Sequence, residues 1–323
     1  MRIAFYCAHP YWGGLNNNGG SRTILLSADI LRAMGHTVDV VTMIDHFTWF
    51  DHPRPVQKIP HGTDVVVAVS ISDLAHLVFS ELAKDCLLTY WARPAETWQM
   101  DKKLILNTLR AFTKRKGRVF VNSEWQEYYF NKHGIHSRIV YAGLDLDQWN
   151  ENGRVAHDKT TIGFLVSAKK RKRFVDLVLL VDLFGDKFNY IGYGEKNDQD
   201  ENTDDWIKYH PQIQFFVSPN KFTMLNIYQS CDIWFAPTAL EGFHNPPTEA
   251  NLCGAMVVCS DARKAGVSDY ANNETAVVYH DPAELVETDF VRDNVKVKAM
   301  QELLRTKIGT RQTNMQRMVE MMK

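Results

Sequence analysis

Two carboxylates, Glu241 and Glu249, bracket a ten-residue stretch, Glu241-Gly242-Phe243-His244-Asn245-Pro246-Pro247-Thr248-Glu249-Ala250. A carboxylate accepts paired hydrogen bonds from vicinal hydroxyls, so two of them at this spacing suit a polyhydroxylated ligand. An apolar run, residues 231–237, precedes the stretch and ends at Pro237; a second, residues 255–259, follows Gly254. The first run reads as a buried strand, and Thr248, Glu249 and Ala250 begin a short helix that Gly254 stops. Strand, tight loop and helix start together present free backbone N–H groups to an anion.

A second constellation is cationic. Lys169-Lys170-Arg171-Lys172-Arg173 lies between a strand over residues 161–167 and a helix over 174–184. Five consecutive cations repel one another, and at a helix start they oppose the macrodipole. A bound diphosphate relieves both costs; a nucleic-acid contact and an exposed turn are the alternatives. Where negative charge develops on a leaving diphosphate, fixed N–H dipoles and Lys or Arg stabilise it. That chemistry calls for no metal.

The elements that position these residues form two successive α/β sets. Residues 2–8 read as the opening buried strand. A long loop, 9–20, contains Gly13-Gly14 and Asn16-Asn17-Asn18-Gly19-Gly20, and a helix begins at Ser21 and stops at Gly35. Residues 38–43 form the next strand. This β-loop-α-β unit implies a parallel sheet with a right-handed crossover. The Gly-rich loop falls at the carboxyl end of a strand, where such sheets bind ligands. It lacks the Gly-x-Gly-x-x-Gly dinucleotide fingerprint. Gly19, Gly20 and Arg22 are candidates to approach a ligand phosphate or sugar; a surface loop is the alternative. Residues 64–70, 86–91 and 119–122 read as further strands. Arg93 and Glu96 stand just past the second of these, as acceptor-side candidates or as a structural ion pair. Lys102-Lys103 and Lys114-Arg115-Lys116-Gly117-Arg118 are basic segments, either solvated faces or contacts for a polyanion. The acidic stretch 195–205 reads as a loop.

The boundary between the sets falls in the turn-rich bridge 142–149 and the hydrophilic stretch after it. The expected division is 1–143, 144–300, and a C-terminal helical segment 301–323 that packs back on the first domain. At 323 residues, two domains fit better than one. Hydrophobic content of 45%, charged content of 23% and a net charge of −1 are those of a soluble globular protein. Cys7, Cys86, Cys231, Cys253 and Cys259 are scattered, with no Cys-x-x-Cys pair, so reduced thiols in a cytoplasmic protein are expected. No run approaches the ~18 apolar residues of a membrane helix, and the N-terminus turns polar too early for a signal peptide.

The residues now carry a resemblance. Glu241 to Ala250, followed by Gly254, resembles the Glu-x7-Glu signature of glycosyltransferase family 4, within the GT-B glycosyltransferases. Residues 231–238 look like the family's strand running into Pro-Ser/Thr, and Gly143-Leu144-Asp145 is similar to its interdomain Gly-Val-Asp. The resemblance implies an α/β, GT-B fold with two doubly wound Rossmann-like domains facing a cleft. It implies a retaining, metal-independent transferase without a cofactor, which takes a nucleotide-sugar as donor.

Carried onto this sequence, Glu241 contacts the donor sugar and Glu249 the ribose. Backbone groups of Gly242, Phe243, His244, Asn245 and Thr248 hold the diphosphate. Lys169 and Lys172 are the nearest match to the family's cation pair, with Lys170 and Arg171 beside them. His244 departs from the family, which has Gly there. The expected acceptor is a glycan, a lipid-linked sugar or, on account of the basic clusters, hydroxymethylated bases of DNA. A nucleotide-binding GT-B protein without turnover is the reading from another class.

Overall fold

The computed structural model describes residues 1–8, 15, 19–80, 82–93 and 102–323. The chain divides into two compact units, residues 1–143 with 310–323, and residues 144–309.

Unit 1 is built on six parallel strands: β1 (Arg2–Cys7), β2 (Thr37–Thr42), β3 (Val65–Ala68), β4 (Leu87–Ala92), β5 (Arg118–Val121) and β6 (Ser137–Ile139), in the order β2-β1-β3-β4-β5-β6. Its helices are α1 (Gly19–Ala33), α2 (Ile71–Phe79), α3 (Lys102–Lys114) and α4 (Glu124–Lys132). Successive β1 residues face opposite sides, so both faces of the sheet are apolar. Ile3, Phe5 and Cys7 join the α1 side with Leu25 and Leu31. Ala4 and Tyr6 join the side covered by Leu74, Leu77, Leu109 and Phe112 of α2 and α3. Each fully buried Leu or Phe contributes about 1.5–3 kcal/mol.

Unit 2 has the strands β7 (Thr161–Leu165), β8 (Asn189–Gly194), β9 (Ile213–Val217), β10 (Ile233–Ala236), β11 (Met256–Ser260) and β12 (Val277–Tyr279). They are again all parallel, in the order β12-β11-β10-β7-β8-β9. The helices are α5 (Phe174–Phe184), α6 (Glu201–Tyr209), α7 (Lys221–Gln229), α8 (Asn245–Leu252) and α9 (Asn294–Leu303). The acidic stretch expected to be a loop ends in a helix. Asp200 caps α6 through a reciprocal pair with Thr203, and Glu201 and Asp204 occupy its first turn, where the helix dipole favours acidic side chains.

The final helix, α10 (Arg311–Met322), returns to unit 1, where Met315, Met318, Val319 and Met322 pack with Ile3 and Phe5. Gly143 has φ 73°, and a Cβ there would overlap the Arg311 backbone, so this turn requires glycine. All five cysteines are free thiols. Among the described residues no helix is long and apolar enough to cross a membrane.

Candidate active site

In a doubly wound sheet, ligands bind outside the carboxyl ends of the strands where the order reverses. In unit 2 that point lies between β7 and β10, which pair through Ile162–Ile233, Gly163–Trp234 and Phe164–Phe235. The loop after β7 carries residues 166–173, and the loop after β10 carries 237–244. The cations and the first carboxylate of the sequence therefore meet because the topology brings these two loops together.

The meeting is fixed by backbone bonds. The Arg171 carbonyl accepts from the Ala239 N–H at 2.8 Å and from the Thr238 hydroxyl at 3.3 Å. Ser260 at the end of β11 clasps Thr238 from the other side, accepting from its N–H at 2.9 Å and donating to its carbonyl at 2.7 Å. Arg171 and Lys172 then converge on one carboxylate oxygen of Glu241, Lys172 at 2.5 Å. The Glu241 and Lys172 side chains are only 13% and 12% exposed, so solvent screens this cluster weakly. Burial pushes the Glu241 carboxyl up, but Lys172 and Arg171 outweigh it and hold the group at about 2. Burial lowers the Lys172 ammonium, Glu241 opposes that, and Arg171 and Lys169 add to it.

The remaining cations go elsewhere. Lys169 pairs with Asp198 at 2.6 Å rather than with Glu241, so the pair on Glu241 is Arg171 and Lys172. Arg173, in the left-handed region at φ 50°, pairs with Asp176 at 2.8 Å and lies over the Tyr279 ring. Lys170 is exposed. The repulsion expected of five adjacent cations is thus relieved by the chain's own Asp198, Glu241 and Asp176, without a diphosphate being needed for it.

The loop between the two carboxylates is braced from behind. Gly242 and Phe243 are buried, and Phe243 meets the Tyr270 ring edge-on at 5.6 Å. Gly266 abuts them: a Cβ there would lie 2.7 Å from the Phe243 Cα and closer still to the Gly242 carbonyl. The Tyr270 hydroxyl donates to the His244 carbonyl at 2.8 Å. His244 caps α8 from φ 71°, ψ 77°, a left-handed conformation, and Asn245 opens the helix three residues earlier than the sequence suggests. Pro246 and Pro247 carry no N–H, so the helix start has fewer donors than an ordinary one. Thr248 is buried and donates its hydroxyl to the Asn245 carbonyl at 2.8 Å.

Glu249 stands on α8 and accepts from the Tyr228 hydroxyl at 2.9 Å. Tyr228 in turn pairs with the Tyr193 hydroxyl at 2.8 Å, and its ring packs edge-on against Trp149 and Trp234. Burial, with Glu249 close by, keeps the Tyr228 phenol protonated. Tyr193, Tyr228, Gly266 and Tyr270 are supporting residues that the sequence does not advertise. Only the glycine leaves a trace, in the loop-helix turn over residues 261–270.

The unit 1 candidates form their own group. Gly19 and Gly20 open α1, and Arg22 lies in its first turn, partly buried. The Arg93 guanidinium, just past β4, donates to the Gly20 carbonyl and lies over the Trp91 ring at 5.7 Å. Arg93 therefore has a backbone partner in α1. Glu96 lies outside the described residues, as does most of the Gly-rich loop. In the basic segment after α3, Arg115 donates to the carbonyls of Leu77 and Val78 at the end of α2. Among the described residues, no group of three His, Cys, Asp or Glu side chains has a metal-binding arrangement.

Residues 146–289 match the family described as glycosyl transferases group 1. No curated protein matches the sequence. Among solved structures, the chain is similar to sucrose-phosphate synthase from Thermosynechococcus elongatus, at TM-score 0.78 and 13% identity over 99% of this chain and 98% of that one. It is similar to Anabaena HepE in complex with UDP and glucose, at TM-score 0.75 and 14% identity over 99% of both chains. The catalytic domain of Arabidopsis thaliana starch synthase IV, bound to ADP and acarbose, matches at TM-score 0.64 and 10% identity, over 99% of this chain and 98% of that one. The fold is that of the GT-B glycosyltransferases, and the family match over the second unit supports a glycosyltransferase.

Proposed function

We propose that the protein is a retaining, metal-independent glycosyltransferase that moves a sugar from a nucleotide-sugar to an acceptor hydroxyl. The observation that carries this is the convergence of Arg171 and Lys172 on Glu241 at the switch point of the unit 2 sheet. The three groups sum to one positive charge, a match for a diphosphate that brings negative charge and sugar hydroxyls together. On binding, the cations turn to the diphosphate and Glu241 accepts hydrogen bonds from the sugar. Glu249, aimed by Tyr228, receives the ribose hydroxyls.

In the transfer, the bond from the anomeric carbon to the diphosphate oxygen breaks. A bond to the acceptor oxygen forms on the same face of the sugar, and the acceptor hydroxyl's proton passes to the departing diphosphate oxygen. As the anomeric carbon becomes oxocarbenium-like, Arg171 and Lys172 stabilise the departing diphosphate, the work a metal does elsewhere. Glu241 orients the donor and is not assigned as a nucleophile. HepE was solved with UDP-glucose and starch synthase IV with ADP, so the relatives do not agree on the base. Four of the five 169–173 cations pair with carboxylates, which weakens that cluster as an argument for a DNA acceptor.

The test is a panel of UDP-, GDP-, ADP- and TDP-sugars against glycan, lipid-linked and hydroxymethylated-DNA acceptors, with and without a chelator. Mass spectrometry reads transfer and NMR reads the anomeric configuration. Transfer with retention that survives the chelator is expected; an inverted product, or transfer abolished by the chelator, contradicts the mechanism. Donor binding without transfer to any acceptor would favour the binding-protein reading.

A further inference from the structure

His244 occupies a position that suits glycine. Its φ of 71° and ψ of 77° lie in the left-handed region, which residues with a side chain rarely adopt. A helix cap ordinarily sits in the extended region and offers a side-chain oxygen to the first turn. His244 does neither, and its side chain makes no cap hydrogen bond. The residue is 7% exposed, and among the described residues its buried Nδ1 has no hydrogen-bond partner. A buried, unsatisfied nitrogen adds its own desolvation cost. Glycine would remove both costs, yet histidine stands here, three residues after Glu241.

The surroundings narrow what the imidazole meets. Burial, then Lys172, lower its proton affinity, while Glu241 works the other way; the group titrates at about 3 and is neutral near pH 7. A neutral imidazole offers one N–H and one lone pair. A phosphate oxygen only accepts, and Arg171 and Lys172 are already placed for phosphate. A sugar hydroxyl both donates and accepts, as the imidazole does. The Tyr270 bond to the His244 carbonyl and the close approach of Gly266 to Gly242 and Phe243 hold the loop in place.

We propose that His244 is a sugar-specificity residue, whose unpartnered Nδ1 hydrogen-bonds a hydroxyl of the transferred sugar beside Glu241. This rests on the donor-site reading above. Discrimination follows from the cost of leaving that nitrogen unpaired: a donor lacking the matching hydroxyl, or carrying it in the other configuration, binds more weakly.

The experiment compares the wild type with His244→Gly and His244→Asn, the latter able to adopt the left-handed conformation and still hydrogen-bond. Calorimetry measures affinity for UDP, GDP and ADP and for UDP-glucose, UDP-galactose, GDP-mannose and ADP-glucose. For the base the wild type prefers, His244→Gly should lose about tenfold in affinity for the nucleotide-sugar, the factor of one hydrogen bond of about 1.4 kcal/mol. Affinity for the free nucleoside diphosphate should stay within about twofold. His244→Asn should recover part of the loss. The melting temperature of His244→Gly should rise by a few degrees, because strain is removed.

Equal weakening of sugar-bearing and free nucleotide would place the contact on phosphate and overturn the proposal. Unchanged affinity for both, with a lowered melting temperature, would show a packing residue and overturn it too. A wild type that binds none of the nucleotides or nucleotide-sugars would overturn the donor-site reading itself, a separate result from either of these.

Discussion

Glu241→Gln isolates the charge of the carboxylate while keeping its shape. In the folded chain the group titrates at about 2 instead of the ordinary 4.5. At about 1.4 kcal/mol per pH unit, that difference corresponds to roughly 3 kcal/mol of stability near neutral pH. The sign follows from the direction. A carboxyl whose folded-state value is depressed contributes fully above its unfolded value and loses the contribution as the pH falls through the folded one. Glu241→Gln should therefore be less stable than the wild type by about 3 kcal/mol at pH 7, and the gap should shrink below pH 4.5 to less than half by pH 3. Urea unfolding of both proteins, followed by tryptophan fluorescence at several pH values, measures it. Unit 2 carries Trp149, Trp206 and Trp234 as reporters. Equal stability at pH 7, or a gap that does not change between pH 7 and pH 3, would refute the electrostatic account of this cluster.

Three further substitutions separate the parts of the site. Tyr228→Phe removes the hydroxyl between Tyr193 and Glu249 and should weaken donor binding about fivefold, the value of one hydrogen bond of about 1 kcal/mol, as titration calorimetry will show. Gly266→Ala drives a methyl into the Gly242–Phe243 backbone and should lower the melting temperature and donor affinity together; retention of both would show that the loop has room to move. Arg173→Ala loses its pair with Asp176 and its contact with Tyr279, so stability should fall by about 1–2 kcal/mol in urea unfolding while donor affinity stays unchanged.

Much of the fold was legible because parallel strands buried on both faces write themselves as apolar runs, as residues 65–68 and 256–260 do. The Glu241–Glu249 stretch was legible as a strand-loop-helix start. Its helix begins earlier than expected because two prolines, which look like breakers, are tolerated in a first turn. The acidic helix α6 was hidden by its own charge, which serves its N-terminus. The pairing of the cations was not legible at all. Which of Lys169, Arg171 and Lys172 reaches Glu241 depends on a 3-10 turn at Lys170–Lys172 and on Arg171's carbonyl bonds to residues 238–239. Asp198, nearly thirty residues on, then takes Lys169. Tyr228 and Tyr270 were unreadable for the same reason: each acts through one hydroxyl whose partner is distant in sequence.

The central claim is that a nucleotide-sugar is held at the carboxyl ends of β7 and β10. Hydrogen–deuterium exchange with and without saturating UDP-glucose, GDP-mannose or ADP-glucose tests it most directly. The donor that raises the melting temperature should slow exchange in peptides covering residues 166–173 and 238–252, and Arg171→Ala combined with Lys172→Met should abolish that protection. Protection confined to other segments, or none with any donor, would contradict the account.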